Sequence, residues 1–268
     1  MERIKAILEI PLTSLVKKLF VFSALVVVSP NVWAQTSVDI QSSRPGAAIG
    51  SNVVGSKFFQ AETGYQRLKE RGAEDGGQDT WVSEFRYGLT ERLELTSEFD
   101  IETERTPGLP NDTGISDVEI GLKYLLITEN DGLMPAFSAR GRVQLPGGQG
   151  SNFQKTPSPN LIFASSWSLS DELELEADIG LRVNPDKGSS EGFGALNLTG
   201  NLSDRIALFL EGFHTFEDET GNVELDAGIG FLLTHNLQID ASAGWGEHDG
   251  TTETLISAGL SWRMPTGF

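Results

Sequence analysis

The chain has 268 residues, of which 38% are hydrophobic and 30 are glycine, and its 20 basic and 38 acidic side chains give a formal charge of −18. That charge argues against nucleic acid or an anionic headgroup surface as partner, because both repel an acidic protein. The absence of cysteine excludes disulfides and thiolate metal sites, and abundant glycine without a long 3.6-residue stripe disfavours a helical bundle.

At the start of the chain, Arg3, Lys5, Lys17 and Lys18 accompany the apolar run LFVFSALVVV at 19–28, and SPNVWA ends on the small residue Ala34. This order predicts a cleaved secretory signal peptide at 1–34, since the apolar run is about half of what a spanning helix needs. Without it, 16 basic and 36 acidic residues remain, a charge of −20. Residues 35–56, QTSVDIQSSRPGAAIGSNVVGS, read as an N-terminal periplasmic segment or a plug, and 57–268 as one domain.

From 57 onward, apolar and polar residues alternate between turn residues, which predicts about twelve strands. They fall at 57–70, 79–89, 92–104, 113–127, 133–145, 158–169, 172–184, 190–202, 205–217, 221–233, 236–247 and 252–264. Short turns, TE near Glu91, SD at 170–171 and 203–204 and TH at 234–235, alternate with longer loops such as RTPGLPND at 105–112 and PGGQGSNFQKTPSP at 146–159. An even strand count, with short turns at one end and long loops at the other, fits an all-β, closed antiparallel up-and-down transmembrane β-barrel. Both termini then lie at the short-turn, periplasmic end. Strands of ten or more residues suit a tilted membrane crossing, whereas soluble strands average about five or six. Lipid accepts no hydrogen bonds, so the apolar parity faces outward and the polar parity lines the interior. Trp81, Tyr87, Tyr124, Trp167, Trp245 and Trp262 lie near strand ends and fit interface girdles.

GISDVEIGLKYLL at 114–126, the LSD turns and the closing LQIDASAGWGEHDGTTETLISAGLSWRM resemble the outer-membrane family known as "putative MetA-pathway of phenol degradation". The resemblance spans most of the mature chain. It implies an outer-membrane barrel that passes small solutes, with aromatic or hydrophobic compounds suggested. It also implies surrounding outer-membrane lipid and assembly by the barrel-assembly machinery. Terminal Phe268 resembles the assembly signal of such barrels, although Pro265 and Gly267 interrupt the last strand.

Parity assigns the candidate lumen lining and solute pathway. The acidic set is Glu94, Glu98, Asp100 and Glu102 on the third strand, Glu172, Glu174, Glu176 and Asp178 on the seventh, and Glu224, Asp226 and Asp240 beyond. The basic set is Arg86, Lys123, Arg140, Arg142, Arg182, Arg205 and Arg263. Clustered carboxylates would favour cations in a water-filled pore; the alternative is an interior closed by its own charge pairs. No enzymatic activity is expected. A lipid hydrolase needs a histidine–serine pair, and His214, His235 and His248 offer none, nor a metal site, so no cofactor or metal is expected. A structural, receptor or adhesion barrel without an open pore is the second reading, and a lipid-modifying enzyme the third.

Overall fold

Thirteen β-strands pair in a single antiparallel ring in the computed structural model, which describes residues 39–71, 76–116, 118–130, 134–148, 155–217, 220–248 and 251–267. The predicted signal peptide, Phe268 and the middle of the 146–159 loop lie outside the described residues. The strands are β1 (Phe58–Arg71), β2 (Gly76–Gly88), β3 (Leu93–Arg105), β4 (Asp112–Ile115), β5 (Val118–Ile127), β6 (Ala136–Leu145), β7 (Ser158–Ser168), β8 (Leu173–Asn184), β9 (Ser189–Ser203), β10 (Ile206–Glu217), β11 (Thr220–Thr234), β12 (Leu237–His248) and β13 (Thr251–Pro265). Each strand pairs with its sequence neighbour, apart from the shared fourth stave described below, and β1 closes on β13 from Phe58↔Pro265 to Arg71↔Thr252. Among the described residues every strand but β4, which pairs with β3 on one side, is paired on both sides, as a lipid surround requires.

β4 and β5 are two pieces of one stave, so the barrel has the twelve staves expected. Both pair with β3, but the register steps from Ile101↔Ile115 to Glu98↔Glu119, one residue more on the fourth stave. Ser116 occupies the break: its N–H donates to the Asp100 carbonyl at 2.8 Å, and its hydroxyl accepts the Asp100 N–H at 2.7 Å. The extra residue reverses parity, so inward residues are even-numbered in β4 and odd-numbered in β5.

Four turns at the end where β1 begins and β13 stops share one chemistry. Thr90, Ser170, Ser203 and Thr234 each accept, through the side-chain oxygen, the N–H two residues later at 3.2–3.4 Å. A hydroxyl that folds the chain back on itself explains why LTERL, LSDEL, LSDRI and LTHNL recur. Pairing also continues past the last strand, where the Thr266 N–H donates to the Lys57 carbonyl at 2.6 Å. His248, expected in a loop, ends β12.

The burial pattern inverts that of a soluble protein. Gln60, Glu62, Arg86, Glu94 and Lys123 are among the most buried side chains, whereas Ile179, Leu196 and Leu210 are more than half exposed. Outward aromatic residues gather at two levels: Tyr87, Tyr124, Trp167 and Trp262 near the terminal end, and Tyr65, Trp81 and Trp245 towards the far end.

Candidate functional site

The wall formed by β1 to β7 carries paired charges. Arg86 donates through Nε to Glu94 Oε1 at 3.0 Å and through Nη2 to Oε2 at 3.1 Å, while Nη1 reaches Glu62 at 3.1 Å. All three side chains are at most 2% exposed. Higher on the same wall, Arg142 pairs with Glu84, donates to Glu98 at 2.7 Å and to the Thr96 hydroxyl at 3.1 Å, and lies 3.7 Å from Glu119. Arg140 stands 3.7 Å from Glu84, and Arg182 reaches Glu119 at 3.1 Å. Arg86, Arg140 and Arg142 are at most 10% exposed, so water screens their pairs little, whereas Arg182 is 44% exposed.

The wall from β8 to β12 is different. Glu174, Glu176, Asp178, Glu211, Glu224, Asp226 and Asp240 point inward from it. Among the described residues, the ion pairs recorded there are Asp240 with Arg44, at 3.4 Å, and Arg182 of β8 with Glu119 on the other wall. Asp178 Oδ1, Asp226 Oδ1 and Asp240 Oδ2 are buried without a protein hydrogen-bond partner. β9 and β10 add apolar surface to the same side. The rings of Phe193 and Phe213 lie 6.0 Å apart, with Phe209 also inward.

Residues 39–56 run around the inside of this ring. The Ile40 N–H donates to the His235 carbonyl at 2.8 Å. The Ser42 hydroxyl and Ser43 N–H bind Glu62 at 2.9 and 3.0 Å. Arg44 crosses to Ser257 at 2.9 Å and Asp240 at 3.4 Å. The Ala47 and Ala48 N–H groups donate to the two oxygens of Glu211 at 2.7 and 2.8 Å, and the Ile49 N–H donates to Asp178 at 2.7 Å. Lys123 Nζ caps the Ile49 carbonyl at 3.0 Å, the Ser51 N–H reaches Ser166 at 2.9 Å, and the Val54 N–H reaches Glu94 at 2.8 Å. The circuit therefore passes β13, β12, β10, β8, β7 and β3 before the chain enters β1. Glu211 and Asp178, for which no arginine partner is recorded, take backbone N–H groups, which are strong charge-assisted donors.

Two glycine sites permit this close approach. Gly64 and Gly259 pair across β1 and β13, and a Cβ on either would stand within 2.4 Å of the Arg44 guanidinium. Gly50 has φ +54°, and a Cβ there would meet the Glu176 carboxylate at 1.9 Å. Between the segment and the acidic wall lies a cavity of about 660 Å³, lined by Glu174, Glu176, Asn197, Thr199 and Phe209.

Parity put most of the sequence-predicted lining on the inner face. Glu98, Arg140 and Arg142 come together, and Lys123 and Asp178 meet through Ile49. Asp100 sits at the Ser116 break, and Glu102 accepts from Gln78 at 3.2 Å. Glu174 and Glu176 border the cavity, and Glu224 and Asp226 neighbour each other one pleat apart on β11. Glu172 and Arg205, expected on the wall, belong to exposed turns. Glu62, Glu84, Glu119 and Glu211 were not predicted. Parity would have given Glu62 and Glu84, and also Glu119, which shares the parity of Lys123; Glu211 is isolated in the mostly apolar run IALFLEGF.

Comparison with known proteins adds family and fold. The family described as "Putative MetA-pathway of phenol degradation" matches residues 42–264. The structure of the COG4313 outer membrane channel from Pseudomonas putida F1 aligns with a TM-score of 0.61 and 16% identity, over 82% of this chain and 99% of that one. NanC porin aligns at 0.51 and 11%, over 75% and 98%. KdgM porin in complex with disordered oligogalacturonate aligns at 0.50 and 10%, over 75% and 98%. No curated protein matches the sequence.

Proposed function

This chain belongs to the family described as "Putative MetA-pathway of phenol degradation", an outer-membrane β-barrel, and from that premise we propose that it is a channel for small solutes, narrowed at its periplasmic end by its own residues 39–56. The carrying observation is the circuit of backbone N–H groups on Glu211, Asp178 and Glu94. It anchors between the second residue of β3 and the sixth of β8 and β10, so it occupies the terminal-end half of the bore. We read that end as periplasmic because the short turns lie there.

Two features shape selectivity in this reading. The β8–β12 carboxylates lower the energy of a cation more than that of an anion. The inward Phe193, Phe209 and Phe213 offer ring faces to an aromatic solute, which agrees with the phenol named in the family description. Glu94, Glu98, Asp100, Glu102, Lys123, Arg140, Arg142, Glu174, Glu176, Asp178, Arg182, Glu224 and Asp226 line this pathway, and its chemistry is passage and not catalysis.

Planar-bilayer recording in a salt gradient tests the reading. The mature chain should give small steps with a cation-selective reversal potential. Deletion of residues 42–52 should enlarge the steps several-fold, and Phe193→Ala with Phe213→Ala should weaken block of the steps by phenol. Silence from both the mature and the deleted chain, in samples that show the heat-modifiable mobility of a folded barrel, would refute a channel.

A further inference from the structure

The outward face at the far end departs from the acidity of the rest of the chain. Arg67, Lys69 and Arg71 share the outward parity of β1 with the exposed Tyr65, and Arg105 ends β3 on the same side. β2 lies between them. Arg67 is in register with Asp79, which faces Thr103, and Lys69 is in register with Gly77, which faces Arg105. Asp79 ties the cluster together: it accepts from the Tyr65 hydroxyl at 2.6 Å and from Arg105 Nε at 2.6 Å, with Arg67 Nε at 3.7 Å. On the other flank, the residues of β13 beside Arg67, Lys69 and Arg71 are the uncharged Ile256, Thr254 and Thr252. With Glu247, beyond β13 and in register with Thr252, four cations stand against two carboxylates, a local +2 on a chain whose total is −18.

Depth gives this patch its meaning. The next outward row towards the middle of the barrel is Tyr65, Trp81 and Ile101. Outward Tyr and Trp mark the edge of the lipid band. Along the strands Arg67 stands about 7 Å further out, Lys69 and Arg105 about 13 Å and Arg71 about 20 Å, so the cations run from the level of headgroups outward. Asp79 holds Arg67 and Arg105 in place. Among the described residues Lys69 and Arg71 form no ion pair, so their charge faces outward. Gly77 puts no side chain between Lys69 and Arg105, which leaves a gap flanked by two cations. Guanidinium and ammonium groups on either side of a gap suit a phosphate, which accepts short charge-assisted bonds from both.

We propose that Arg67, Lys69, Arg71 and Arg105 form a binding site for the phosphate groups of the phosphorylated glycolipid in the outer leaflet. The overall charge makes a general attraction to anionic lipid unfavourable, and this patch supplies a local one. The placement rests on reading the far end as the cell exterior. Binding in detergent solution does not depend on that orientation or on conductance, so failure of the channel reading leaves this test intact.

The test is titration of the folded mature chain in non-ionic detergent, followed by native mass spectrometry, with bisphosphorylated lipid A, its dephosphorylated form and inorganic phosphate as separate probes. Bisphosphorylated lipid A should bind at least about tenfold more tightly than the dephosphorylated form, given the strength of charge-assisted contacts. K69Q with R71Q, which leaves the Asp79 contacts in place, should weaken it on the order of thirtyfold, and each single change about fivefold. K57Q with R205Q, the same charge change at the terminal end, should alter it less than about twofold. Heat-modifiable mobility confirms folding of every variant. Equal affinity for the two lipids, or indifference to K69Q with R71Q, overturns the site. Saturation by inorganic phosphate at the same concentration overturns the lipid assignment in favour of a soluble anion.

Discussion

Arg86 donates to Glu62, to both oxygens of Glu94 and to the carbonyls of Gln41 and Asn52. Its guanidinium fork therefore joins three strands of the wall to both ends of the inner segment. A lysine could satisfy fewer of these partners, because its ammonium lacks the planar geometry. Removing the cation would leave two carboxylates buried without their partner. Arg86→Met should therefore cost about 3–5 kcal/mol, read as a lower urea midpoint for the heat-modifiable band in detergent. Arg86→Lys should recover part of that loss. An unchanged midpoint in Arg86→Met would mean that Glu62 and Glu94 are not held as described.

At the scale of the strand, one pleat step separates lipid from lumen. Ile179 faces outward near the middle of β8 and is among the most exposed apolar residues, while Asn197 faces inward between Glu176 and Glu211. The same substitution should have opposite consequences at these positions. Ile179→Arg should destabilise insertion by about 2–4 kcal/mol, the cost of a cation near the bilayer midplane. Asn197→Arg should insert normally, because it enters among carboxylates, and should reduce cation selectivity in bilayer recordings. Vesicle-folding yields and reversal potentials would separate the two, and equal losses of folding would contradict the assigned faces.

At the scale of the molecule, the interior is divided by charge. The β1–β7 wall neutralises its carboxylates with arginines, and the β8–β12 wall uses the amides of residues 47–49 and Arg44. β3 and β10 lie six staves apart, directly across the ring, so a solute in the bore meets a paired wall on one side and a carboxylate wall on the other. The selectivity proposed for this arrangement should depend on ionic strength. The Debye length falls from about 10 Å at 0.1 M to about 3 Å at 1 M salt. The cation-to-anion permeability ratio should accordingly be largest in dilute salt and approach unity near 1 M, as reversal potentials at several mean concentrations would show. A ratio independent of salt would point to a narrow filter and away from a charged wall.

Strict alternation in a run such as LELEADIGL at 173–181 was enough to give strand, faces and membrane setting, because side chains alternate with period two and lipid tolerates no open edge. The repeated hydroxyl turns marked one end of the barrel for the same local reason. The twelve staves and most of the charged lining follow from those short-range rules. Tertiary structure decided the rest. Arg44 meets Asp240 from 196 residues away, and no periodicity near either residue encodes that contact. Ser116 reverses the parity between β4 and β5, so one alternation cannot be carried through 113–127, and only the register shows where it changes. Whether residues 39–56 hang outside the ring or circle within it was undetermined by their composition. In the structure they run within it, where closure of β1 on β13 brings Glu211, Asp178 and Glu94, buried carboxylates with acceptor capacity, to their backbone N–H groups.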